Sequence, residues 1–127
     1  MNLEQLLQYL NSGNPLTCGT EAYALMEHCT YEAMRLTAEL NSAYHTPDEV
    51  RDFMRRITGR EIDASFRLFP PFYTDFGKNI RLGKNVFINA CCCFQDQGGI
   101  DVGDGALIGH RVTLATINHG LSPDERH

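Results

Sequence analysis

The spacing of apolar residues in this chain changes rhythm near residue 60. On the N-terminal side it is helical. Leu3, Leu6, Leu7 and Leu10 fall on one helix face, and Ser12-Gly13-Asn14-Pro15 breaks the run. A longer helix is predicted from about Thr20 to Ser42, with Leu25, Met26, Cys29, Leu36 and Leu40 on its inner face. A third begins at Thr46-Pro47-Asp48-Glu49. There Thr46 caps, Pro47 suits the first helical position, and Glu49 completes a capping box. Gly59 supplies the stop. Residues 1–60 are therefore expected to form a helical N-terminal cap region, and Phe66 to Tyr73, with Pro70-Pro71, extended chain.

From Phe76 onward the period fits neither helix nor strand. Large apolar residues stand at Phe76, Leu82, Ile88, Phe94, Val102, Ile108 and Leu114, in steps of 6, 6, 6, 8, 6 and 6. Four of them are followed by glycine: Gly77, Gly83, Gly103 and Gly109. A six-residue period marks a solenoid whose turn has three short sides, with one large side chain per hexad filling the interior. Glycine at a corner tolerates positive φ. This register stacks Phe76, Phe94 and Leu114 on one face, Leu82 under Val102, and Ile88 under Ile108. The eight-residue step implies a bulge at Asp96-Gln97-Gly98-Gly99, and loops inserted in repeats often carry the site. A small antiparallel sheet with glycine turns is the alternative, and seven apolar positions with one departure favour the coil.

Composition narrows the classes of function. At 43% apolar and 21% charged residues the 127-residue chain reads as globular. A net charge of −5 offers no broad attraction to nucleic acid or anionic lipid. No apolar run approaches the roughly 18 residues of a membrane span. Met1-Asn2-Leu3-Glu4-Gln5 lacks the basic start of a secretory signal, so a cytoplasmic protein is expected. The five cysteines, Cys18, Cys29, Cys91, Cys92 and Cys93, suit no disulfide framework. Three in succession point alternately along extended chain and do not converge on an ion, so no metal site is expected.

The segment from Asn79 to His119 with Gly120, NIRLGKNVFINACCCFQDQGGIDVGDGALIGHRVTLATINHG, resembles the maltose and galactoside O-acetyltransferases of the hexapeptide-repeat class. The likeness extends back through Pro70-Pro71-Phe72-Tyr73-Thr74-Asp75-Phe76-Gly77-Lys78 and, more weakly, to Ala38-Glu39-Leu40-Asn41. Its most specific part is Ala115-Thr116-Ile117-Asn118-His119 followed by Ser122-Pro123-Asp124-Glu125-Arg126. The resemblance implies a mainly β fold: a left-handed parallel β-helix of about two coils, spanning 61–127, preceded by the α-helical cap. It implies acetyl transfer from acetyl-CoA to a hydroxyl of a sugar or similar acceptor, by homotrimers with sites in clefts between neighbouring coils. It places the catalytic histidine at His119 and an acceptor-contacting asparagine at Asn89. In the bulge, Asp96 and Gln97 stand where relatives often carry carboxylates, and Asp75 falls on an acceptor-side position. Leu114 opens a third coil thirteen residues before the end. Most of the acetyl-CoA surface is therefore expected beyond the C-terminus, in a chain truncated relative to the family and weak or inactive alone.

Histidine suits this chemistry because its unperturbed pKa near 6.5 keeps much of it basic at neutral pH. Each candidate also has a structural reading. Asn89 follows Ile88 where asparagine supports coil corners, and Asp96 can bond the bulge backbone instead of an acceptor. Asp101 and Asp104 flank a turn. His110 reads as surface, and His28, His45 and His127 carry no supporting pattern. A cysteine nucleophile is the rival mechanism, but Cys92 falls at an inward position and no Cys–His–acid arrangement can be read from spacing. A trimerisation or interaction module, and transfer to an amine, are the other functional readings.

Overall fold

The computed structural model describes residues 1–116 and contains three helices followed by eight short parallel strands. Helix α1 covers Leu3–Asn11, α2 Glu21–Asn41 and α3 Pro47–Thr58. All three are set by local chemistry. Asn2, Thr20 and Thr46 accept from backbone N–H groups of the first turns, and α1 and α3 carry complete capping boxes, with Gln5 and Glu49. Gly59 ends α3 in the left-handed conformation, at φ 67°. Lys78 Nζ then donates to the carbonyls of Arg56 and Ile57 at 2.8 and 3.0 Å, satisfying that helix end from the coil side.

The strands are β1 Arg67–Leu68, β2 Phe72–Thr74, β3 Ile80–Leu82, β4 Phe87–Ile88, β5 Cys92–Gln95, β6 Ile100–Val102, β7 Leu107–Ile108 and β8 Thr113–Ala115. They stack into three parallel sheets, β1-β4-β7, β2-β5-β8 and β3-β6. Arg67 lies opposite Phe87, Phe72 opposite Cys92 and Ile80 opposite Ile100, so each course of the coil takes 20 residues. Two courses are complete and β7 and β8 begin a third. No strand exceeds 4 residues, whereas α2 alone has 21. The described residues are therefore mixed α and β rather than mainly β, because a hexad devotes most of its length to corners.

Leu82 pairs with Val102, Ile88 with Ile108, and Phe94 with Leu114, as the six-residue period predicts. Phe76 departs from that register. The residue beneath Phe94 is Thr74, not Phe76, and the coil begins earlier, at β1. The eight-residue step therefore occurs in both courses, from Thr74 to Leu82 and from Phe94 to Val102. Phe76 leaves the coil interior and is fully buried with Leu6 and Leu10 of α1 and Ala22 and Cys29 of α2. The interior itself holds Phe66, Leu68, Phe72, Ile80, Ile88 and Phe94.

The helices close the lower end of the prism. Leu36 and Leu40 of α2, with Val50, Phe53, Met54 and Ile57 of α3, join the coil's own apolar cluster. Asn41, at the end of α2, donates to the carbonyl of Phe72 and accepts from its N–H, both at 2.9 Å, completing the exposed edge of β2 as another strand would. At the upper end Ala106, Ile108, Val112 and Leu114 are only partly covered.

The corner glycines do less than the sequence suggests. Left-handed backbone falls at Asn85, Cys91, Gly105 and Arg111, with Gly77 and Gly99 in the bulges, but not at Gly83, Gly103 or Gly109. A non-glycine residue there costs on the order of 1 kcal/mol. Corner-to-corner bonds offset it: Cys91 N–H donates to Pro71 O at 2.8 Å and Arg111 N–H to Ala90 O at 3.1 Å. Gly83 is small for another reason, since a Cβ there would collide with the Asp104 carboxylate.

Candidate active site

Strand β5 and the bulge after it carry most of the polar candidates. Alternate residues of a strand face opposite ways, so Cys92 and Phe94 point inward while Cys93 and Gln95 face out. In the outer row Cys93 lies between Tyr73 and Thr113. Cys92 is fully buried and its thiol donates to Gly109 O at 3.1 Å.

The bulge is held by Asp96. Its carboxylate is fully buried and accepts from Thr74 Oγ1 at 2.8 Å and from the N–H groups of Phe76, Gly77 and Asn79 at 3.0, 2.9 and 3.0 Å. Asp96 thus locks the bulge of the preceding course. Asn79 extends the network. Its side chain donates to Asn11 Oδ1 at 2.9 Å and to Gln97 O at 3.2 Å, and accepts from Arg81 Nη1 at 2.9 Å. One course higher, Thr116 plays a similar part, accepting from Gly98 N–H at 2.8 Å and donating to Gln95 O at 2.6 Å.

Asp75 and Gln97 come together on the outer side of these bulges. Asp75 is half-buried, and that burial pushes its carboxyl above the ordinary carboxylate range, with a smaller push from Asp96 and an opposing pull from hydrogen bonding to Gln97. Gln97 Oε1 is buried without a protein partner among the described residues. Burial also raises the Cys93 thiol, helped by the nearby Asp75 charge and by Cys92. A raised thiol pKa leaves less of the nucleophilic thiolate at neutral pH.

Asn89 stands apart from that pair. It occupies the corner before β5, with its Oδ1 accepting from Ala90 N–H at 2.8 Å and its own N–H donating to Ile108 O at 2.9 Å. Strand β5, Cys92–Gln95, lies between Asn89 and Gln97 in the chain. His119 lies outside the described residues. Asp101 pairs with Arg81, and Asp104 accepts from Lys84 N–H at 2.7 Å, so both support turns. Among the described residues no three His, Cys, Asp or Glu side chains converge as metal ligands. Sequence reasoning missed Asn79, whose only signal was its place in the recurring eight-residue step.

The same coil, with its helical base, occurs in a hexapeptide-repeat containing acetyltransferase from Vibrio cholerae. The two superpose with a TM-score of 0.77 at 29% identity, over 98% of this chain and 63% of that one. The chain is a relative of the hexapeptide-repeat acetyltransferases. The Vibrio protein is also known in complex with acetyl coenzyme A, in a structure matched here with a TM-score of 0.74 at 26% identity. Among curated relatives, the galactoside O-acetyltransferase of Lactococcus lactis is 32% identical over 97 residues, which is 75% of this chain and 46% of that protein. Nodulation protein L of Rhizobium leguminosarum is 42% identical over 57 residues, or 45% of this chain and 30% of that protein. The chain thus spans less than half the length of these curated relatives. No protein-family model matches it.

Proposed function

We propose that this chain contributes the cap and first coils of an acetyl-CoA-dependent O-acetyltransferase whose acceptor is a hydroxyl of a sugar or similar compound. The observation that carries this reading is the correspondence of 98% of this chain, cap and coil together, with 63% of the Vibrio acetyltransferase, a protein that binds acetyl coenzyme A. The galactoside acetyltransferase relative supports a sugar acceptor. The coil is read as left-handed, as in the family, and the protein as cytoplasmic.

Acetyl transfer requires a hydroxyl made nucleophilic, a thioester beside it and donors for the tetrahedral oxyanion. In this reading His119 accepts the hydroxyl proton as the oxygen attacks the thioester carbonyl. The C–S bond then breaks and His119 returns the proton to the departing thiolate, giving an acetyl ester and free CoA thiol. General base catalysis of this kind supplies roughly 10²- to 10⁴-fold, and positioning supplies much of the remainder. Asn89 offers an amide donor to the acceptor or the thioester oxygen, while Asp75 and Gln97 hold acceptor hydroxyls. The site is read as a cleft between neighbouring coils of a homotrimer, as the resemblance to the family implies. The acetyl-CoA site proper draws on surface outside these residues.

The test is thiol release from acetyl-CoA with a panel of sugars and matched amino sugars, in the parent and in His119→Ala. Acceptor-dependent release that disappears in the variant, with an unchanged circular dichroism spectrum, supports the reading. Release that persists without His119, or that prefers the amine, overturns it. The alternative reading is a non-catalytic trimerisation module. A trimer in solution with no affinity for CoA would select it.

A further inference from the structure

A cleft of about 760 Å³ opens between the turn joining α2 to α3 and the outer corner of β1. It lies away from Asp75 and Gln97. Its wall is apolar along Pro47, Val50 and Pro71, and its lining includes Arg51 and Arg67 but no carboxylate, in a chain of net charge −5. Arg51 is already spent, paired with Asp48 and donating to Phe66 O at 3.2 Å. Arg67 is exposed and forms no ion pair among the described residues.

The rim that carries Arg67 is rigid. The Arg67 guanidinium lies 4.7 Å over the Phe87 ring, and Phe69 meets the same ring edge-on, with centroids 4.9 Å apart. Stacking fixes the guanidinium plane while leaving its N–H fork free for an oxyanion. Phe69 is 53% exposed despite its size and offers an aromatic face beside that fork. A cleft of this volume with apolar walls and a few oriented polar groups is the usual form of a small-molecule site. Phe69 N–H donates to Ile88 O, the residue before Asn89, so Phe69 and Asn89 occupy the same position in successive courses. A molecule held at Arg67 and Phe69 therefore extends along the prism wall toward Asn89.

We infer that this cleft binds a sugar ring bearing an oxyanion, a carboxylate or a phosphate, with the anion on Arg67 and the ring face on Phe69. As a specificity subsite for the acceptor it rests on the acetyl-transfer reading; as a binding site it does not.

Calorimetry with glucuronate, glucose 6-phosphate and neutral glucose tests it, using the parent chain, Arg67→Gln and Phe69→Ala. Both substitutions fall at exposed positions, and thermal melts check that each variant folds. At least one anionic sugar binds, glucose does not, and the two anions tell carboxylate from phosphate. Arg67→Gln weakens binding about tenfold or more, the scale of a charge-assisted hydrogen bond, and Phe69→Ala weakens it severalfold. Failure of both anions to bind at millimolar concentration, or binding indifferent to Arg67→Gln, overturns the proposal. So does displacement by acetyl-CoA, which would give the cleft to the donor, or self-association abolished by Arg67→Gln without anion binding, which would give it to a second copy of the chain. Anion binding without any thiol release leaves the site standing and sinks the acetyl-transfer reading alone.

Discussion

Replacing Asp96 by alanine removes the acceptor for three backbone N–H groups, those of Phe76, Gly77 and Asn79. Thr74 is not stranded, because its hydroxyl also reaches Phe94 O at 3.0 Å. Each stranded buried donor costs about 1–3 kcal/mol, so the gross loss is roughly 3–9 kcal/mol. Against this stands the desolvation of the carboxylate, which the variant no longer suffers and which amounts to several kcal/mol in a protein interior. A net loss of about 4 kcal/mol is expected, lowering the melting temperature by roughly 12–20 °C for a domain of this size. Asp96→Asn keeps the three bonds to Oδ1 but turns an amide NH₂ toward the N–H of Asn79, and about 2 kcal/mol is expected from that clash. Urea and thermal unfolding measure both variants, and amide exchange at Phe76, Gly77 and Asn79 localises the damage. An Asp96→Ala protein within about 1 kcal/mol of the parent would refute the account of the bulge. So would an unchanged melting temperature with a raised acceptor KM, since that is the signature of an acceptor contact.

Gly77→Ala destabilises strongly, by about 2 kcal/mol or more, because its φ is +83° and a Cβ would lie 2.8 Å from Ile57 O; Gly103→Ala, with open space around it, stays near the parent in the same urea titration. Asn41→Ala strands the N–H and carbonyl of Phe72 and costs about 2–3 kcal/mol, read from the urea midpoint. Asp75→Asn has a pH-dependent effect. Burial raises the Asp75 pKa, so its charged form weakens the fold above that value and the penalty vanishes below the ordinary carboxylate pKa of the unfolded chain. The variant is therefore more stable than the parent at pH 7, and melts between pH 7 and pH 3 should show that advantage shrink to nothing. An advantage independent of pH would show that the charge is not the cause.

Local chemistry made the helices legible. Thr46, Pro47, Glu49 and Gly59 act within a turn of one another, and the structure uses each as written. The coil was legible wherever a large apolar residue filled the interior, as at Leu82, Ile88 and Phe94. It was illegible at Thr74, a small polar residue in an interior slot whose hydroxyl is satisfied only by Phe94 O and Asp96 from the next course. Phe76, two residues on, offered a better hydrophobic match and shifted the apparent start of the repeat. The left-handed corners were equally hidden, because Asn85, Cys91 and Arg111 carry side chains that glycine rules do not flag. At the candidate site, Asp75 and Gln97 meet because consecutive bulges stack. Asp96 was readable as either a ligand contact or a backbone lock, and the structure shows the lock. Asn89 lies on another corner because a strand intervenes, which adjacency in sequence conceals.

The 20-residue offset gives the bulge lock a direction. Phe76, Asp96 and Thr116 are one position seen in three successive courses. Each reaches down into the layer beneath: the first into the helices, the second into the first bulge, the third into the bulge that bears Gln97. A layer is consequently finished not by its own residues but by those laid on top of it. Growth of such a tower during synthesis is retroactive, with every new storey fastening the floor below and leaving its own floor loose until the next arrives.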